Sequence, residues 1–534
     1  MHKNSTVIKG ILLLLFFCML LNIPYIQLRE FQGEEGRRVI VAETMLKTGE
    51  WIVPYVENVP YLKKPPLFNW LLVGIFSLSG IVSETTARML SVISAFLCAL
   101  GLSLFWRKIA EIPDVWYILP GLIFLTFTDV MDKAVRAEID MTFTLFITLA
   151  VLLWYYLYEY LQKPLAAWIL ALSVVSIATL TKGVQAPAFF YCGVVPYLIY
   201  KRETRSIFSA AHAAGICAAV AIFSAWFIPF TKKIGLEEFL TTWWHEIATR
   251  QEPLRAGGFF RHFVEFPFLY LIAYLPWFPL IFLWAHKAIR EKTYGHKTLV
   301  IYCLFFLLFS LPFYWIMPGA RLRYILPVSG ALALLLTIPI TFTLSGSSRM
   351  PLWTTRSLQV LGICLFLAVP LSLFWGTRLE LFHGPVPFFL LGTVFVLSLL
   401  LIGKTGGAKR KIIVLLLTAL AVKVLWASLY FPYHAKNLSY YRTAAQQINM
   451  LVSQDASLYD YRVDNPHLAY YLNRPVTLIK TPDKSKMKNG SVVFMEKKDT
   501  DGADLEGFSY IGEVVARKKI LLLYEITNGG KDEN

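Results

Sequence analysis

This chain has 534 residues, of which 56% are hydrophobic and only 16% charged, with a mean hydropathy of +0.55. Soluble domains carry about 25% charged residues, so the composition excludes an ordinary soluble protein and indicates an integral membrane protein. The formal net charge is +16, yet residues 435–534 are nearly neutral, with 14 Lys and Arg against 13 Asp and Glu. Most of the positive charge therefore accompanies the apolar segments, where it orients a protein in anionic lipid, and nothing suggests nucleic acid as a partner.

Apolar segments long enough to cross a membrane occur along most of the chain. We predict an all-α polytopic membrane protein with about thirteen transmembrane helices. The predicted spans are 7–27, 85–106, 114–131, 140–161, 165–181, 184–200, 208–230, 264–286, 298–316, 323–343, 354–373, 385–403 and 411–431. The first follows Lys3 and Lys9 without a small-residue cleavage site, so we interpret it as a retained signal-anchor. The short apolar segment 67–82 either crosses or lies along the interface.

Lys and Arg are concentrated in alternate connecting loops, which predicts the orientation of the chain. With the N-terminus in the cytoplasm, the inner loops hold most of these cations and the short outer loops hold few. The outer segments are then 33–70, 132–140, 231–262, 317–323 and everything after residue 431. The C-terminal residues are therefore expected to be extracytoplasmic.

The first outer loop (residues 28–66, hereafter the first loop) is rich in ionisable residues for so apolar a chain. Glu34 and Glu35 are adjacent, and Arg37 and Arg38 follow them. Ionisable groups near the bilayer are costly and usually functional. A carboxylate there can serve as a general base, and an arginine can pair with it or clamp a phosphate. The alternative is a solvated charge cluster that stabilises a short helix.

The remainder of the first loop predicts a helix from Arg37 to Lys47 that ends at Gly49. Its inward-facing side chains would be Val39, Ala42, Met45 and Leu46. Two prolines at 65–66 stiffen the chain after Lys63 and Lys64. Lys64 would then lie near the lipid headgroups, where an ammonium can bind a phosphate, whereas snorkelling to the interface is the alternative for both lysines.

Several further residues are candidates for the same chemistry. Asp140 can act as an acid or base, or it is a first-turn acid favoured by the helix dipole, and both interpretations stay open. Lys182 can reach a phosphate or snorkel. His245 and Glu246 lie beside two tryptophans at 243–244, which line a sugar site or anchor the chain at the membrane surface. The histidines and the six cysteines show no metal-ligand spacing, so no metal site or cofactor is predicted, and dependence on a divalent metal stays open.

Residues 435–534 change character and alternate polar residues with short strand-like segments. A helix is predicted over 439–451, followed by strands at 457–462, 476–480, 491–497, 508–516 and 519–526. This mixture predicts a small α/β or α+β domain after a membrane domain of residues 1–434.

The first loop resembles that of GT-C-fold glycosyltransferases that use polyprenyl-phosphate sugars, namely the aminoarabinose transferases and protein O-mannosyltransferases (glycosyltransferase family 39/83). The matching residues are Glu34, Glu35, Arg37, Met45, Leu46, 49–54, Tyr61, 64–67 and Trp70. Weaker matches occur at 85–90, 136–140, 180–183, 321–327 and 469–476. The chain departs from the pattern at Glu34, where the aminoarabinose transferases have Asp, at Arg38, where they have an aromatic residue, and at Ile40. These departures leave open the substrate and whether Glu34 or Glu35 is the working carboxylate.

The resemblance implies a glycosyltransferase of the bacterial inner membrane that moves a sugar from a polyprenyl-phosphate donor to an envelope acceptor, which is a lipid A-like lipid, a glycan or a protein. The implied catalytic residues are Glu34, Glu35 and Asp140. The implied donor-phosphate ligands are Arg37, Lys64, Arg321 and Arg323. Residues that would contact the acceptor or the sugar are Arg38, Tyr61, Lys182, His245 and Glu246. The alternative is a transporter of isoprenoid-linked or lipid-linked saccharide, although the sequence shows no internal repeat.

Overall fold

The structure is a computed structural model that describes residues 2–112, 114–249, 256–317, 319–344, 351–403, 407–483, 485 and 487–526. The chain divides into two compact units. Unit 1 comprises residues 1–26, 63–68 and 88–430, and unit 2 comprises residues 27–62, 69–87 and 431–534. Unit 2 thus contains most of the first loop together with the C-terminal residues, and the domain boundary after residue 434 stays a prediction.

The described residues are mostly helical. In chain order the α-helices are α1 (His2–Asn22), α2 (Glu35–Thr48), α3 (Leu67–Ser79), α4 (Glu84–Ile109), α5 (Leu119–Leu125), α6 (Thr128–Lys133), α7 (Ile139–Tyr155), α8 (Pro164–Lys182), α9 (Gln185–Lys201), α10 (Ala210–Ile234), α11 (Leu236–Thr249), α12 (Ala256–Ala273), α13 (Lys287–Lys292), α14 (Lys297–Ile316), α15 (Ser329–Leu344), α16 (Leu352–Arg378), α17 (Val386–Ile402), α18 (Ala408–Asn437), α19 (Tyr440–Leu451) and α20 (Pro466–Leu472). Short 3₁₀ segments include Val115–Ile118, Phe278–Ala285 and Leu322–Val328, and a π-helical turn, Tyr156–Tyr160, extends α7.

The predicted count of thirteen spans is not confirmed. Within the described ranges, nine helices are long and apolar enough to cross a membrane, or ten if Gly258–Ala273 and Phe278–Ala285, which meet at 90°, form one broken span. Three predicted spans correspond to shorter helical segments, Val115–Leu125, Gln185–Lys201 and Val386–Ile402, the longest of which have 17 residues. A span needs about 20 residues. The predicted bounds 184–200 and 385–403 agree with the helices within one residue, whereas the predicted span 114–131 is interrupted between Leu125 and Thr128.

The core of unit 1 is built from large apolar side chains that are almost completely enclosed. Trp106, Trp154, Trp168 and Trp277 are all fully buried. The indole of Trp154 stacks on the ring of Tyr302 with centroids 5.7 Å apart, and the indole N–H of Trp277 donates to Thr126 Oγ1 at 2.7 Å. A buried indole N–H usually has such a partner, and Trp277 follows this rule, whereas the N–H groups of Trp106 and Trp154 are buried without one among the described residues.

Unit 2 contains a five-stranded mixed sheet formed by the C-terminal residues. Its strands are β3 (Leu458–Tyr461), β4 (Val476–Ile479), β5 (Val492–Glu496), β6 (Phe508–Ala516) and β7 (Lys519–Ile526), in the order β4-β3-β5-β7-β6. β3 is parallel to β4 and β5, whereas β7 is antiparallel to β5 and β6. All five predicted strands and the predicted helix over 439–451 are confirmed, because period-two alternation and flanking turn residues are strong local signals.

A short hairpin of the first loop forms a separate two-stranded sheet and contacts the edge of this sheet through one side chain. Its strands are β1 (Tyr55–Val56) and β2 (Val59–Pro60), and Glu57 in the turn has a φ of 56°. The side chain of Asn58 accepts from the backbone N–H of Leu478 at 2.9 Å and donates to its carbonyl at 3.3 Å. The turn therefore bonds to the exposed edge of β4 much as a neighbouring strand would.

Glu57 is expected to make the stability of the protein depend on pH. Burial, reinforced by Asp460 and Asp464, raises the pKa of this carboxyl from 4.5 to about 8. Because the unfolded chain ionises Glu57 more easily, the folded state loses stability as pH rises from about 4.5 toward 8. We expect Glu57→Gln to raise the melting temperature at pH 8 and to change it little at pH 5. The exposed Glu513→Gln is the control, and equal pH profiles for the wild type and Glu57→Gln would contradict this assignment.

Candidate functional site

The first loop places its charged residues at the start of α2. Gly49 ends the helix in the left-handed conformation, with a φ of 70° and its N–H bonded to the carbonyl of Met45 at 3.0 Å. Val39, Ala42 and Met45 are buried as predicted, whereas Leu46 is 37% exposed. The prediction for Leu46 was wrong because one residue turns the helix by about 100°, which takes Leu46 off the face that holds Met45.

The two adjacent glutamates have different environments. Glu35 is fully buried, and its Oε2 lies 3.5 Å from the guanidinium of Arg29, which is 1% exposed. The same oxygen accepts a hydrogen bond from the backbone N–H of Gln32 at 2.9 Å, so Glu35 provides a partner for a backbone donor just before α2. Glu34 is 39% exposed, and its Oε2 accepts from Arg37 at 3.2 Å. Glu34 is thus the carboxylate that a substrate can reach, and Glu35 is engaged inside the unit.

Arg37, Arg38 and Tyr61 form one cluster around Glu34. The Arg38 guanidinium is almost fully buried, donates to the Tyr61 hydroxyl at 3.2 Å and lies 4.0 Å from Glu34. It also lies 5.2 Å from the centroid of the Tyr61 ring, and the Arg37 guanidinium lies 5.7 Å from the same centroid. Arg37 additionally approaches the exposed Asp464 at 3.8 Å. Two guanidinium groups therefore balance the charge of Glu34 and fix its position.

A second cluster lies in unit 1 around Asp140, in the first turn of α7. Asp140 is 3% exposed, and its Oδ1 lies 2.6 Å from Nζ of Lys182, the last residue of α8. The ammonium also lies 5.1 Å from the centroid of the Phe143 ring and 5.3 Å from that of Tyr324. A carboxylate held this closely by a buried ammonium is well placed to position groups and poorly placed to accept a proton.

The network around Asp140 includes the predicted phosphate ligand Arg323 and two residues that the sequence did not single out, Glu138 and Lys133. Arg323 Nη1 lies 3.9 Å from Asp140 and 3.2 Å from Glu138, which is also buried. Lys133 lies 3.3 Å from the same oxygen of Glu138. The segment 136–140 was noted for Asp140 alone, and the only sequence signal for Glu138 was its place two residues before Asp140 in that segment.

The turn after Lys182 requires glycine. Gly183 has a φ of 88°, and a Cβ there would lie 2.9 Å from the indole of Trp243. The predicted sugar-site segment thus brings one tryptophan next to Lys182. His245, two residues further along α11, is exposed. Glu246 lies in the same helix, but its side chain falls outside the described part of the chain.

The remaining predicted phosphate ligands are more accessible. Arg321 is exposed at the position before the 3₁₀ segment Leu322–Val328, and Lys64 is half-buried beside the exposed Lys63. Both belong to unit 1, as does Arg323. Within the described ranges, no three or more His, Cys, Asp and Glu side chains are grouped so as to hold a metal ion.

The sequence is similar to known transferases over much of its length. Residues 63–229 match the family described as dolichyl-phosphate-mannose-protein mannosyltransferase. The undecaprenyl phosphate-α-4-amino-4-deoxy-L-arabinose arabinosyl transferase of Aeromonas salmonicida is 27% identical over 60% of this chain and 58% of its own length. Its counterpart in Yersinia pestis is 26% identical over 66% and 62%. This chain therefore spans about six tenths of these two relatives, and 74% of an uncharacterized protein of Aquifex aeolicus to which it is 27% identical.

The fold is that of a solved structure of ArnT. The crystal structure of ArnT from Cupriavidus metallidurans bound to undecaprenyl phosphate aligns with a TM-score of 0.68 at 17% identity, covering 98% of this chain and 99% of that one. The apo state of the same protein aligns with a TM-score of 0.67. The resemblance found in the first loop is confirmed. This chain is a multi-pass inner-membrane protein with the GT-C fold, related to the glycosyltransferases that use polyprenyl-phosphate sugars.

Proposed function

We propose that this protein is a membrane glycosyltransferase that moves a sugar from a polyprenyl-phosphate donor to an acceptor of the cell envelope. The proposal rests on the environment of Glu34. Its carboxylate is half-exposed and lies between Arg37 and Arg38, on the segment that matches the transferase pattern. The arabinosyl transferase relatives and the fold they share with this chain support the donor class.

In the proposed reaction, an acceptor oxygen attacks the anomeric carbon of the sugar while the bond from that carbon to the phosphate oxygen breaks. Polyprenyl phosphate leaves with the bonding electrons. The acceptor proton passes to Glu34 when the nucleophile is a hydroxyl, and a positioned base of this kind contributes about 10²–10⁴-fold to the rate. An acceptor that attacks through a phosphate oxygen needs no base, and Glu34 then only positions it.

In the proposed reaction, basic side chains balance the charge of the leaving phosphate. Arg321, Arg323 and Lys64 supply guanidinium and ammonium donors, and stabilising charge that develops in the transition state is a large part of catalysis. Arg37 stays a further candidate, although Glu34 and Asp464 already engage it. Asp140 acts as a positioning residue that holds Lys182 and Arg323, because its two oxygens face those cations.

The orientation belongs to the same proposal. The distribution of Lys and Arg supports a cytoplasmic N-terminus and an extracytoplasmic C-terminal sheet.

A transporter of lipid-linked saccharide is the second candidate, and one feature favours it. Gly258–Ala273 and Phe278–Ala285 meet at 90°, and broken helices of this kind occur at transporter binding sites.

The test in cells compares envelope lipids, glycans and exported proteins by mass spectrometry with and without the gene. We expect one acceptor species to lose a sugar-sized mass on deletion and to regain it when the wild-type gene is restored. Glu34→Gln should fail to restore it if the nucleophile is a hydroxyl, and the exposed Glu513→Gln is the matched control. Unchanged acceptors in the deleted strain, with a polyprenyl-linked sugar accumulating, would contradict transfer and favour transport.

A further inference from the structure

Unit 2 contains a cavity of about 700 Å³ that is lined by none of the residues assigned above to sugar transfer. Its walls come from α2, the turn between β1 and β2, the start of α4, Arg442 and residues 469–476. We call it the unit 2 cavity. Its volume lies within the roughly 300–1,000 Å³ typical of small-ligand sites, so it is large enough for a substantial part of an acceptor.

Four of the charged side chains that line the unit 2 cavity form two ion pairs with one another. Lys47 Nζ lies 2.7 Å from Glu43, and Arg442 forms an ion pair with Glu84. The Tyr471 hydroxyl donates to Glu84 at 2.8 Å. A phosphate-bearing ligand would have to displace these carboxylates to reach Lys47 or Arg442, whereas an uncharged polar ligand can bond to the outer atoms of the pairs as they stand. The third cation, Arg474, donates through Nη2 to the backbone carbonyls of Ser453 and Gln454.

Three further polar side chains line this cavity. Glu57 and Arg474 each keep one buried polar atom, Oε2 and Nη1, that makes no hydrogen bond within the described part of the chain. Because burial raises the pKa of Glu57 to about 8, its carboxyl is protonated at neutral pH and can donate a hydrogen bond. Asn473 presents an exposed amide in the left-handed conformation, with a φ of 52°.

The wall therefore offers amide, carboxyl and guanidinium groups beside the half-buried rings of Tyr470 and Tyr471. Sugars combine many hydroxyl groups, which both donate and accept, with apolar ring faces that pack on aromatic rings. We infer that the unit 2 cavity binds a neutral saccharide. Resting on the proposed function, this saccharide is part of the acceptor, which makes the acceptor a glycan or a glycolipid and excludes a bare polypeptide.

The test measures binding by the full-length protein in nanodiscs without any donor. The probe is the pool of neutral oligosaccharides released from the envelope of the same cells and end-labelled with an uncharged fluorophore. We expect the wild type to retain a neutral oligosaccharide. Thr44→Trp, which places an indole in the cavity, should weaken retention by at least about tenfold, equivalent to roughly 1.4 kcal/mol. Leu46→Trp on the same helix, at an exposed position outside the cavity, should change it less than about twofold.

A second variant tests the same cavity in case Thr44→Trp does not fold. Asn473→Gly tolerates the positive φ and removes the amide, and we expect a loss of about three- to tenfold, as for one hydrogen bond. The inference is overturned if no neutral oligosaccharide binds, or if both variants bind as the wild type does. Transfer with donor is assayed separately. If the protein transfers sugar but does not bind a neutral saccharide, only this inference is contradicted. If it binds the saccharide but does not transfer sugar, only the proposed function is contradicted.

Discussion

Asp140→Leu should destabilise the protein by about 3–5 kcal/mol and abolish sugar transfer. The substitution leaves the ammonium of Lys182, which is 8% exposed, without the carboxylate 2.6 Å away. Removing one partner of a buried ion pair destabilises a protein far more than replacing both partners with apolar residues, because the remaining charge stays desolvated. The unfolding free energy in mixed micelles and the rate of transfer are the two measurements.

The control is the double variant Asp140→Leu/Lys182→Leu. Removing both charges and filling the space with apolar side chains should recover most of the lost stability, because a well-packed apolar pair is often as stable as a buried ion pair. Activity should stay absent, since the cation and the carboxylate that position the site are both gone. A double variant as unstable as Asp140→Leu alone would show that the Asp140–Lys182 pair does not account for the destabilisation.

Glu34→Gln and Glu35→Gln should have opposite consequences. Glu35→Gln should cost about 2–5 kcal/mol of stability, because the buried guanidinium of Arg29 loses a carboxylate 3.5 Å away. Glu34→Gln should cost at most about 1 kcal/mol, since Glu34 is 39% exposed and lies 4.0 Å from the buried Arg38. With a hydroxyl acceptor, Glu34→Gln should nevertheless slow transfer by about 10²–10⁴-fold.

Melting temperature and initial transfer rate, measured on the same preparations, separate the two roles. Glu35→Gln protein that remains folded at low temperature should retain activity close to that of the wild type. A folded Glu35→Gln protein with no activity, together with an active Glu34→Gln protein, would reverse the assignment of the two carboxylates. If Glu34→Gln lowers stability modestly and leaves the transfer rate intact, the acceptor attacks through a phosphate oxygen.

The sequence predicted the C-terminal sheet better than the membrane helices, for physical reasons. Alternation of polar and apolar residues, bounded by turn residues, located every strand from β3 to β7. The apolar segments at 184–200 and 385–403 form helices within one residue of the predicted bounds, Gln185–Lys201 and Val386–Ile402, but their 17 residues lie at the short end of the roughly 17–25 that a span needs. Hydropathy reports the solvent that a segment prefers, whereas helix length depends on capping and on packing against other helices.

The candidate site was predictable in its first loop and only partly elsewhere. The order of charged and aromatic residues from Glu34 to Trp70 was enough to indicate the transferase resemblance. It did not separate Glu34 from Glu35, because neighbours on a helix point about 100° apart and only packing decides which one is buried. The ion pair between Glu138 and Arg323 joins residues 185 positions apart, and one sequence carries no record of such a contact.

The most direct test of the central claim uses the purified protein in liposomes with a polyprenyl-phosphate donor labelled in its sugar. Extracted envelope lipids and glycans serve as acceptors. We predict that the label moves to an acceptor while an equal amount of free polyprenyl phosphate appears. The opposite outcome is a labelled donor that crosses the bilayer intact without release of polyprenyl phosphate. That result would show transport without chemistry and would contradict the account given for Glu34 and the Asp140 cluster.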